Sequence, residues 1–402
     1  MTEFKRLTLS SLVVLLAACG GGSENSSPQT EPLTGYLKDS ALSGVSYHTG
    51  SLSGVTGPNG DYQYRRGEQV TFNIGTLALG QAQGAPLTTP LELMTQYSYG
   101  DDEITNLVRL LMALDSDQLP GNGIQISEAL RFQLEQQIDA SQMPLDEDNI
   151  ASLLSQLSFE DALGNTTTVT LPSTDQALVH LDNTLRCGYA GLYVGEYSGD
   201  DSGVFAAAVD PASLTVRGSL HSSQPYEPLF GIEATAPIFL SNPDEPISMG
   251  ITGAGSDAGF LGTISDYSTI SGTWIWPDVR RGGKFQAEKA VEEEAGAQYK
   301  YVGTYTINPI EGTPVDGVIQ VLVQEDGTAD IDYINIFDEE HTHIRTTVEQ
   351  GQLVFTLYDE FFHQQPSFTL PLALREGEVI DLMLTDNYNG NDYNFALSSC
   401  RL

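Results

Sequence analysis

The sequence predicts a mainly β protein in which about four helices join a small β-sandwich to a larger, duplicated antiparallel β domain. Forty glycines and eighteen tyrosines in 402 residues are typical of antiparallel strands linked by tight turns. Apolar and polar residues alternate over many short runs, whereas residues 86–186 repeat apolar residues at helical spacing. A chain of this length is expected to form two or three domains.

Residues 34–85 carry the signals of short strands joined by turns. The sequence GPNG at 57–60 favours a turn, and residues 61–64 and 70–74 alternate as half-buried strands do. The segment resembles the carboxypeptidase regulatory-like, transthyretin-like β-sandwich family. Its family-like positions are Gly44, Val45, Gly60, Tyr62 and Gly67. The resemblance implies a sandwich fold without a catalytic role, since members are mostly non-catalytic accessory modules.

Four segments between residues 86 and 186 predict helices. They are residues 101–115, 127–138, 146–157 and 173–185. These helices are expected to form a connector between two β regions. Within them, NLVRLLMALDSDQLPGNGIQI resembles a pattern in uncharacterised Gram-negative surface lipoproteins, where it follows the same kind of β module.

Residues 187–402 contain an internal sequence repeat that predicts a duplicated β unit. YAGLY at 189–193 is similar to YVGTY at 301–305, 112 residues later. SGVF at 202–205 is similar to DGVI at 316–319, 114 residues later. The two repeats cover about 187–290 and 296–402. A dozen or more antiparallel strands are expected, arranged as two small barrels or as one two-lobed sandwich.

The N-terminus has the pattern of a lipoprotein signal. Lys5 and Arg6 precede twelve mostly apolar residues, too few to span a bilayer as a helix. The sequence LAAC at 16–19 resembles the lipobox of bacterial lipoproteins, which implies cleavage after residue 18 and acylation of Cys19. In that family, Asp directly after the acylated cysteine favours retention in the inner membrane. This chain has Gly20 there, which implies the outer membrane. Either face of that membrane, periplasmic or external, is compatible with the sequence. Residues 19–33 are expected to be a Gly-, Ser- and Pro-rich linker.

The chain is strongly acidic. It has 17 basic and 54 acidic residues, and removal of residues 1–18 leaves 15 and 53, a net charge of −38. Such a surface repels nucleic acid and anionic lipid headgroups. Nucleic acid is therefore not an expected partner. The expected partners are the lipid bilayer, through acylated Cys19, and an envelope protein or glycan.

The remaining cysteines, Cys187 and Cys400, bracket the last 216 residues. Because two cysteines remain in an oxidising compartment, a disulfide is expected that ties the first strand of this region to its last. Two free buried thiols are the alternative.

Two weak metal sites are suggested by the sequence. Asp115, Asp117 and Asn122 place oxygen ligands at close spacing beside a turn glycine, as a Ca²⁺ loop does, although a helix-capping turn explains the same residues. His341 and His343 would share one face of a strand, and with His363 they could bind Zn²⁺. Exposed hairpin histidines and a pH-sensing cluster are the alternatives. No cofactor is firmly indicated, with calcium the nearest candidate.

No catalytic residue is assigned. The sequence GDDSG at 199–203 differs from the nucleophile loop of serine proteases and is interpreted as a hairpin turn. The expected function is a non-enzymatic binding or structural module of the cell envelope. The alternative is an envelope hydrolase or metal-dependent enzyme with its site in the C-terminal β domain.

Overall fold

The computed structural model confirms the predicted fold class: five α-helices and two eight-stranded β domains accompany an N-terminal sandwich in the part of the chain it describes. It describes residues 31–402 except 142, 161–165, 225–229, 243–244, 256–257, 277–280, 292–295, 311–313, 337–339, 358–365 and 387–389. Within that part, every helix is too short or too polar to cross a membrane.

Two small sheets form the N-terminal sandwich. The strands are β1 (Leu33–Leu37), β2 (Leu42–Ser43), β3 (Ser46–His48), β4 (Ser53–Val55), β5 (Asp61–Tyr64), β6 (Gln69–Ile74), β7 (Leu77–Gln83) and β8 (Leu87–Thr88). Seven of these strands form the two sheets, one with the order β5-β1-β8 and the other β4-β3-β6-β7, whereas β2 pairs with Ile124–Gln125. Tyr62, Tyr64, Val70 and Phe72 point into one shared core, as the alternation in the sequence predicts.

The turn at residues 57–60 requires glycine at its end. Gly60 has a φ of 77°, a conformation that residues with a side chain rarely adopt. A Cβ atom there would also collide with the backbone oxygen of Leu37 on the neighbouring strand. The turn therefore places β5 directly beside β1.

Four of the five helices of the connector overlap the predicted segments, and the first, a single turn, was not predicted. Its helices are α1 (Pro90–Leu93), α2 (Asp102–Leu114), α3 (Glu128–Gln136), α4 (Glu147–Gln156) and α5 (Thr174–Tyr189), with short strands β9 (Ile124–Gln125), β10 (Phe159–Glu160) and β11 (Thr166–Thr167) between them. Ser127, Asp146 and Ser173 each accept a hydrogen bond from a backbone amide of the first turn that follows. These local caps explain why the helix starts can be predicted from the sequence.

Helix α2 contributes to two hydrophobic cores. Leu107 and Leu111 pack into the core of the sandwich, whereas Ile104 and Val108 pack with Leu181 of α5 into the core of the following β domain. The connector therefore continues both cores and holds the sandwich against the β domain.

The first half of the C-terminal region is a closed eight-stranded barrel. Its strands are β12 (Gly191–Gly199), β13 (Gly203–Val209), β14 (Thr215–Ser222), β15 (Phe230–Asn242), β16 (Glu245–Gly255), β17 (Ala258–Ser265), β18 (Thr269–Trp276) and β19 (Arg281–Lys289). Every consecutive pair is antiparallel, and β12 closes the barrel against β19. Closure removes the sheet edges that would otherwise carry unpaired backbone groups.

The second half has eight strands in an equivalent order. They are β20 (Ala297–Ile307), β21 (Gly317–Gln324), β22 (Thr328–Asn335), β23 (Glu340–Glu349), β24 (Gln352–Thr356), β25 (Ser367–Pro371), β26 (Val379–Thr385) and β27 (Asp392–Arg401). Strand β20 pairs with β21 and β27, as β12 pairs with β13 and β19. In the described part of this domain the sheet ends at β25 and β26, so it is barrel-like without the closing pair.

The strand pairing corrects the alignment of the two repeats by four residues. Tyr197 pairs with Gly203 in the first repeat, as Tyr305 pairs with Gly317 in the second. YVGTY at 301–305 therefore corresponds to YVGEY at 193–197, and the predicted match to residues 189–193 is wrong. The cause is that residues 174–189 are helical, which the short sequence echo does not reveal.

The predicted disulfide joins Cys187 to Cys400, with Cα atoms 5.6 Å apart. Cys187 lies in the last turn of α5, however, and not on the first strand of the region. Helix α5 continues to Tyr189, four residues beyond its predicted end, because the amide of Ala190 still bonds the backbone oxygen of Arg186 at 2.9 Å. The bond therefore ties the connector to β27, the last strand.

The two β domains are joined by a buried contact next to this disulfide. Leu192 and Ala208 of the first domain pack against Val302 and Val318 of the second. Lys300, which is 1 % exposed, donates from Nζ to the backbone oxygen of Cys187 at 2.6 Å. A cation at this position satisfies a carbonyl group at the end of α5 and suits the helix dipole.

Candidate functional site

The first barrel encloses a cavity, here called the barrel cavity, of about 60 Å³. Six aromatic side chains line it: Tyr197, Phe205, Phe260, Trp274, Trp276 and Phe285. Aliphatic side chains fill most of the rest of the wall: Ala207, Val216, Leu220, Ile232, Ala234 and Ile270. Both tryptophans of the chain are among these residues.

Strand alternation places these side chains inside. In β18, Ile270, Trp274 and Trp276 point inward, while Thr273 and Ile275 between them are exposed. The sequence therefore contains the period-two signal of this wall. Which of the two faces is internal is decided only when β12 pairs with β19.

Glycines make room for the largest rings of the cavity. A Cβ atom added at Gly262 would lie 2.8 Å from Cζ of Phe285, and one at Gly272 would lie 2.5 Å from the same atom. Phe285 therefore lies across two strands that lack side chains at these points. Larger residues there would push the ring into the cavity.

The aromatic rings are held at defined angles. The rings of Tyr197 and Trp274 are 6.0 Å apart and nearly perpendicular, and Phe285 makes similar edge-to-face contacts with Phe205 at 6.2 Å and Phe260 at 6.1 Å. Trp274 donates from Nε1 to the backbone oxygen of Ser198 at 3.2 Å. These contacts fix the orientation of the wall before any ligand binds.

One carboxylate stands at the β12–β13 end of the cavity. Asp201 accepts hydrogen bonds from the Tyr197 hydroxyl at 3.1 Å and from Ser222 Oγ at 3.0 and 3.1 Å. It also accepts from the amide of Ser202 at 2.7 Å. Of the described residues that line the cavity, Asp201 is the one with a formal charge. The cavity is therefore apolar with a single negative end.

The predicted turn at residues 199–203 is confirmed, since it joins β12 to β13. Sequence reasoning assigned no role to Asp201 and overlooked the cavity. The available signal was the cluster of aromatic residues at alternating positions in the first repeat. That signal identifies a site only when eight strands close around it.

The three residues of the predicted calcium loop lie together after α2. Asp115 accepts from the amides of Gln125 at 2.9 Å and Leu119 at 2.8 Å, and Asn122 donates from Nδ2 to Asp117 at 2.9 Å. Burial raises the pKa of Asp115 to about 6, and the neighbouring Asp117 carboxylate adds to that rise. In this arrangement the Asp115 carboxylate holds a turn together. Calcium binding stays a prediction.

Two of the three predicted zinc ligands also lie together. His341 Nε2 is 2.8 Å and His343 Nδ1 is 3.1 Å from Oδ1 of Asp332, on one face of β23 and β22 as the strand period predicts. His363 and Cys19, the predicted lipidation site, lie outside the described residues. Among the residues that are described, no three His, Cys, Asp or Glu side chains form a group arranged to hold a metal ion. Zinc binding stays a prediction.

Two curated proteins of Escherichia coli share a stretch of 60 residues with this chain at 42% identity. They are described as "Putative lipoprotein YghJ", from strain O78:H11 (H10407), and "Putative lipoprotein AcfD homolog", from strain K12. The shared stretch is 14% of this chain and 4% of each relative. No protein-family model matches the chain.

Two solved structures show a limited likeness. A protein of unknown function from the DUF3598 family of Nostoc punctiforme matches with a TM-score of 0.14 at 11% identity, over 55% of this chain and 98% of its own. A "putative AttH" from Nitrosomonas europaea matches with a TM-score of 0.18 at 9% identity, over 52% and 91%. At these scores the likeness carries no weight for fold or function.

Proposed function

We propose that this chain is a lipoprotein of the Gram-negative outer membrane whose C-terminal β domain is a non-enzymatic binding module. The anchor is supported by the signal-like residues 1–18 and by Cys19, and the two related E. coli proteins are described as lipoproteins. Several acyl chains on Cys19 would give stable attachment without a membrane-spanning helix. The linker and the sandwich would then hold the barrel away from the bilayer.

The barrel cavity carries the binding part of the proposal. It combines a rigid aromatic wall with one fixed polar group, the arrangement by which proteins hold a small ligand in a set orientation. A cavity needs about 10–15 Å³ on this measure to hold one water. About 60 Å³ therefore suits a group of only a few heavy atoms. The ligand is a small molecule, or one small group of a larger molecule.

The enzymatic alternative would depend on the histidines of β23. Asp332 contacts both His341 and His343, and an orienting carboxylate of this kind can support a general base. Both imidazoles lie on an outer sheet face, where their side chains are 43% and 52% exposed. Apolar surroundings, which strengthen such chemistry, line the barrel cavity instead, and neither histidine is among its lining residues. Binding is therefore the better supported function.

The binding proposal predicts saturable uptake of a small apolar probe, 3,3-dimethyl-1-butanol. Since Trp274 and Trp276 are the only tryptophans and both line the cavity, their two indole NMR signals should shift together during titration. A ligand of this size should bind with a Kd on the order of 1 mM. Ala234→Leu adds three carbon atoms to the cavity wall and should abolish the saturable shift.

The matched control is Thr235→Leu, one residue further along β15, where the side chain is exposed. It should leave the titration unchanged. Thermal unfolding of both variants would show whether the fold is kept. Unaltered binding in a folded Ala234→Leu variant, or no saturable shift in the unsubstituted protein, would contradict a ligand site in this cavity.

The proposed lipid anchor predicts that replacing Cys19 changes the cell fraction in which the protein is found. Cys19→Ala removes the acceptor of the acyl chains, so the protein should move from the membrane fraction to the soluble envelope fraction. Immunoblots of separated fractions measure the distribution, and Ser26→Ala, a linker substitution that leaves the lipobox and the disulfide intact, is the control. Continued membrane association of the Cys19→Ala protein would count against lipidation.

A further inference from the structure

We infer that the ligand group held in the barrel cavity is a small organic cation of the alkylammonium type, such as a trimethylammonium head. This inference rests on the proposed ligand site and adds its chemical class. The cavity wall joins six aromatic side chains to one carboxylate, and none of its described residues is Lys, Arg or His. Each of these three features favours the same kind of ligand.

Aromatic walls attract cations through the negative faces of their rings. The attraction is greatest for tryptophan, and it increases when the cation is removed from water. A quaternary ammonium group is weakly hydrated for its charge and spreads that charge over methyl groups, so it tolerates an apolar cavity. Sets of aromatic rings are a recurrent means of binding such groups. Trp274 contacts Tyr197 edge to face and donates to the backbone oxygen of Ser198, and Phe285 contacts Phe205 edge to face, so little reorganisation is needed.

Asp201 supplies the countercharge. Its three donors, Tyr197, Ser202 and Ser222, hold the carboxylate at the end of the cavity. A neutral ligand gains no ion pairing there, and an anion is repelled. A cation whose methyl groups face the rings would have the carboxylate on its remaining side.

The charge of the whole protein acts in the same direction. A net charge of −37 for the full sequence raises the local concentration of cations and accelerates their association. This long-range effect is weakened by salt, whereas contact with the aromatic wall is not. Salt dependence therefore separates the two contributions.

The size of the cavity limits the choice of cation. About 60 Å³ corresponds to a handful of waters on the same measure. Space for a handful of waters is too small for a drug-sized ligand. A trimethylammonium head is compact enough, and any longer substituent of the ligand would have to lie outside the cavity.

The test compares choline with 3,3-dimethyl-1-butanol, which replaces the charged nitrogen by carbon and keeps the shape. Both are titrated against the full chain with the two indole signals as the readout. Choline should bind about tenfold more tightly at low salt. Asp201→Asn should reduce choline affinity about tenfold and change the affinity for the neutral probe less than about twofold.

The matched control is Asp200→Asn, which removes the same charge one residue away, where the exposed carboxylate bonds the amide of Gly282 and lies outside the cavity lining. Choline affinity should stay within about twofold of the unsubstituted protein. On the unsubstituted protein, salt should weaken choline binding and leave the neutral probe unaffected. This last measurement tests the inference even when Asp201→Asn does not fold.

The outcomes are distinguishable. Equal or tighter binding of the neutral probe overturns the cation inference and leaves the ligand site in place. Choline affinity that is unchanged by Asp201→Asn, or by salt, also overturns it. Saturable binding of neither probe overturns the inference together with the proposed function.

Discussion

Replacing Cys187 and Cys400 by alanine is expected to lower the free energy of unfolding by about 5 kcal/mol, because the disulfide closes a loop of more than 200 residues in the unfolded chain. The two cysteines are 213 positions apart, and both are 4 % exposed. The closed loop contains all of the first barrel and nearly all of the second β domain. Urea unfolding followed by tryptophan fluorescence measures the effect, since both tryptophans lie within the loop.

The thiol-reduced protein is the natural control. It should match the double variant, because both lack the same cross-link, and each single variant should show nearly the same loss. A difference below about 1 kcal/mol between oxidised protein and double variant would show that loop closure does not limit the unfolded chain.

Asp39→Asn is expected to stabilise the protein above pH 6, by about 3 kcal/mol when ionisation is complete. Asp39 is fully buried beside α5, and neither of its carboxylate oxygens has a hydrogen-bond partner among the residues that the structure describes. His180 Nε2 is 3.6 Å from Oδ1. Burial raises the pKa of Asp39 from 3.8 to about 6, against the opposing attraction of His180.

The direction of the pH effect follows from this shift. Well below pH 4 the carboxyl group is protonated in both the folded and the unfolded chain, so its ionisation does not change the free energy of unfolding. Between pH 4 and pH 7 the unfolded chain loses its proton first, and the folded state is progressively destabilised. The asparagine variant lacks this group, so its advantage over the unsubstituted protein should grow through the same range.

The measurement is the difference in free energy of unfolding between the two proteins at pH 4, 6 and 8, which cancels the contributions of other titrating groups. Asp148→Asn, at an exposed position in the first turn of α4, is the control and should change stability by less than about 0.5 kcal/mol at each pH. An Asp39→Asn protein that is less stable than the unsubstituted one at pH 8 would show that the charged carboxylate is stabilising.

Several elements could be predicted because their causes are local. Helix α2 was expected at residues 101–115 and lies at Asp102–Leu114, and α4 was expected at 146–157 and lies at Glu147–Gln156. Helical spacing, and for α4 the capping side chain of Asp146, are properties of a dozen neighbouring residues. The end of α5 was missed, since the weak echo at 189–193 suggested a strand where the helix continues to Tyr189.

The sequence by itself determined the mainly β class, the helical connector, the duplication and the two cysteines available for a disulfide, because periodicity, composition and cysteine number do not depend on distant contacts. Only the tertiary structure decided the register of the repeats, the closure of β12 on β19 and the placement of Asp201 among six aromatic side chains. Strand alternation shows that a strand has two faces, but which face is internal depends on partners as far away in the chain as Tyr193 and Lys289. The candidate site is a product of that closure, so no local pattern could have revealed it.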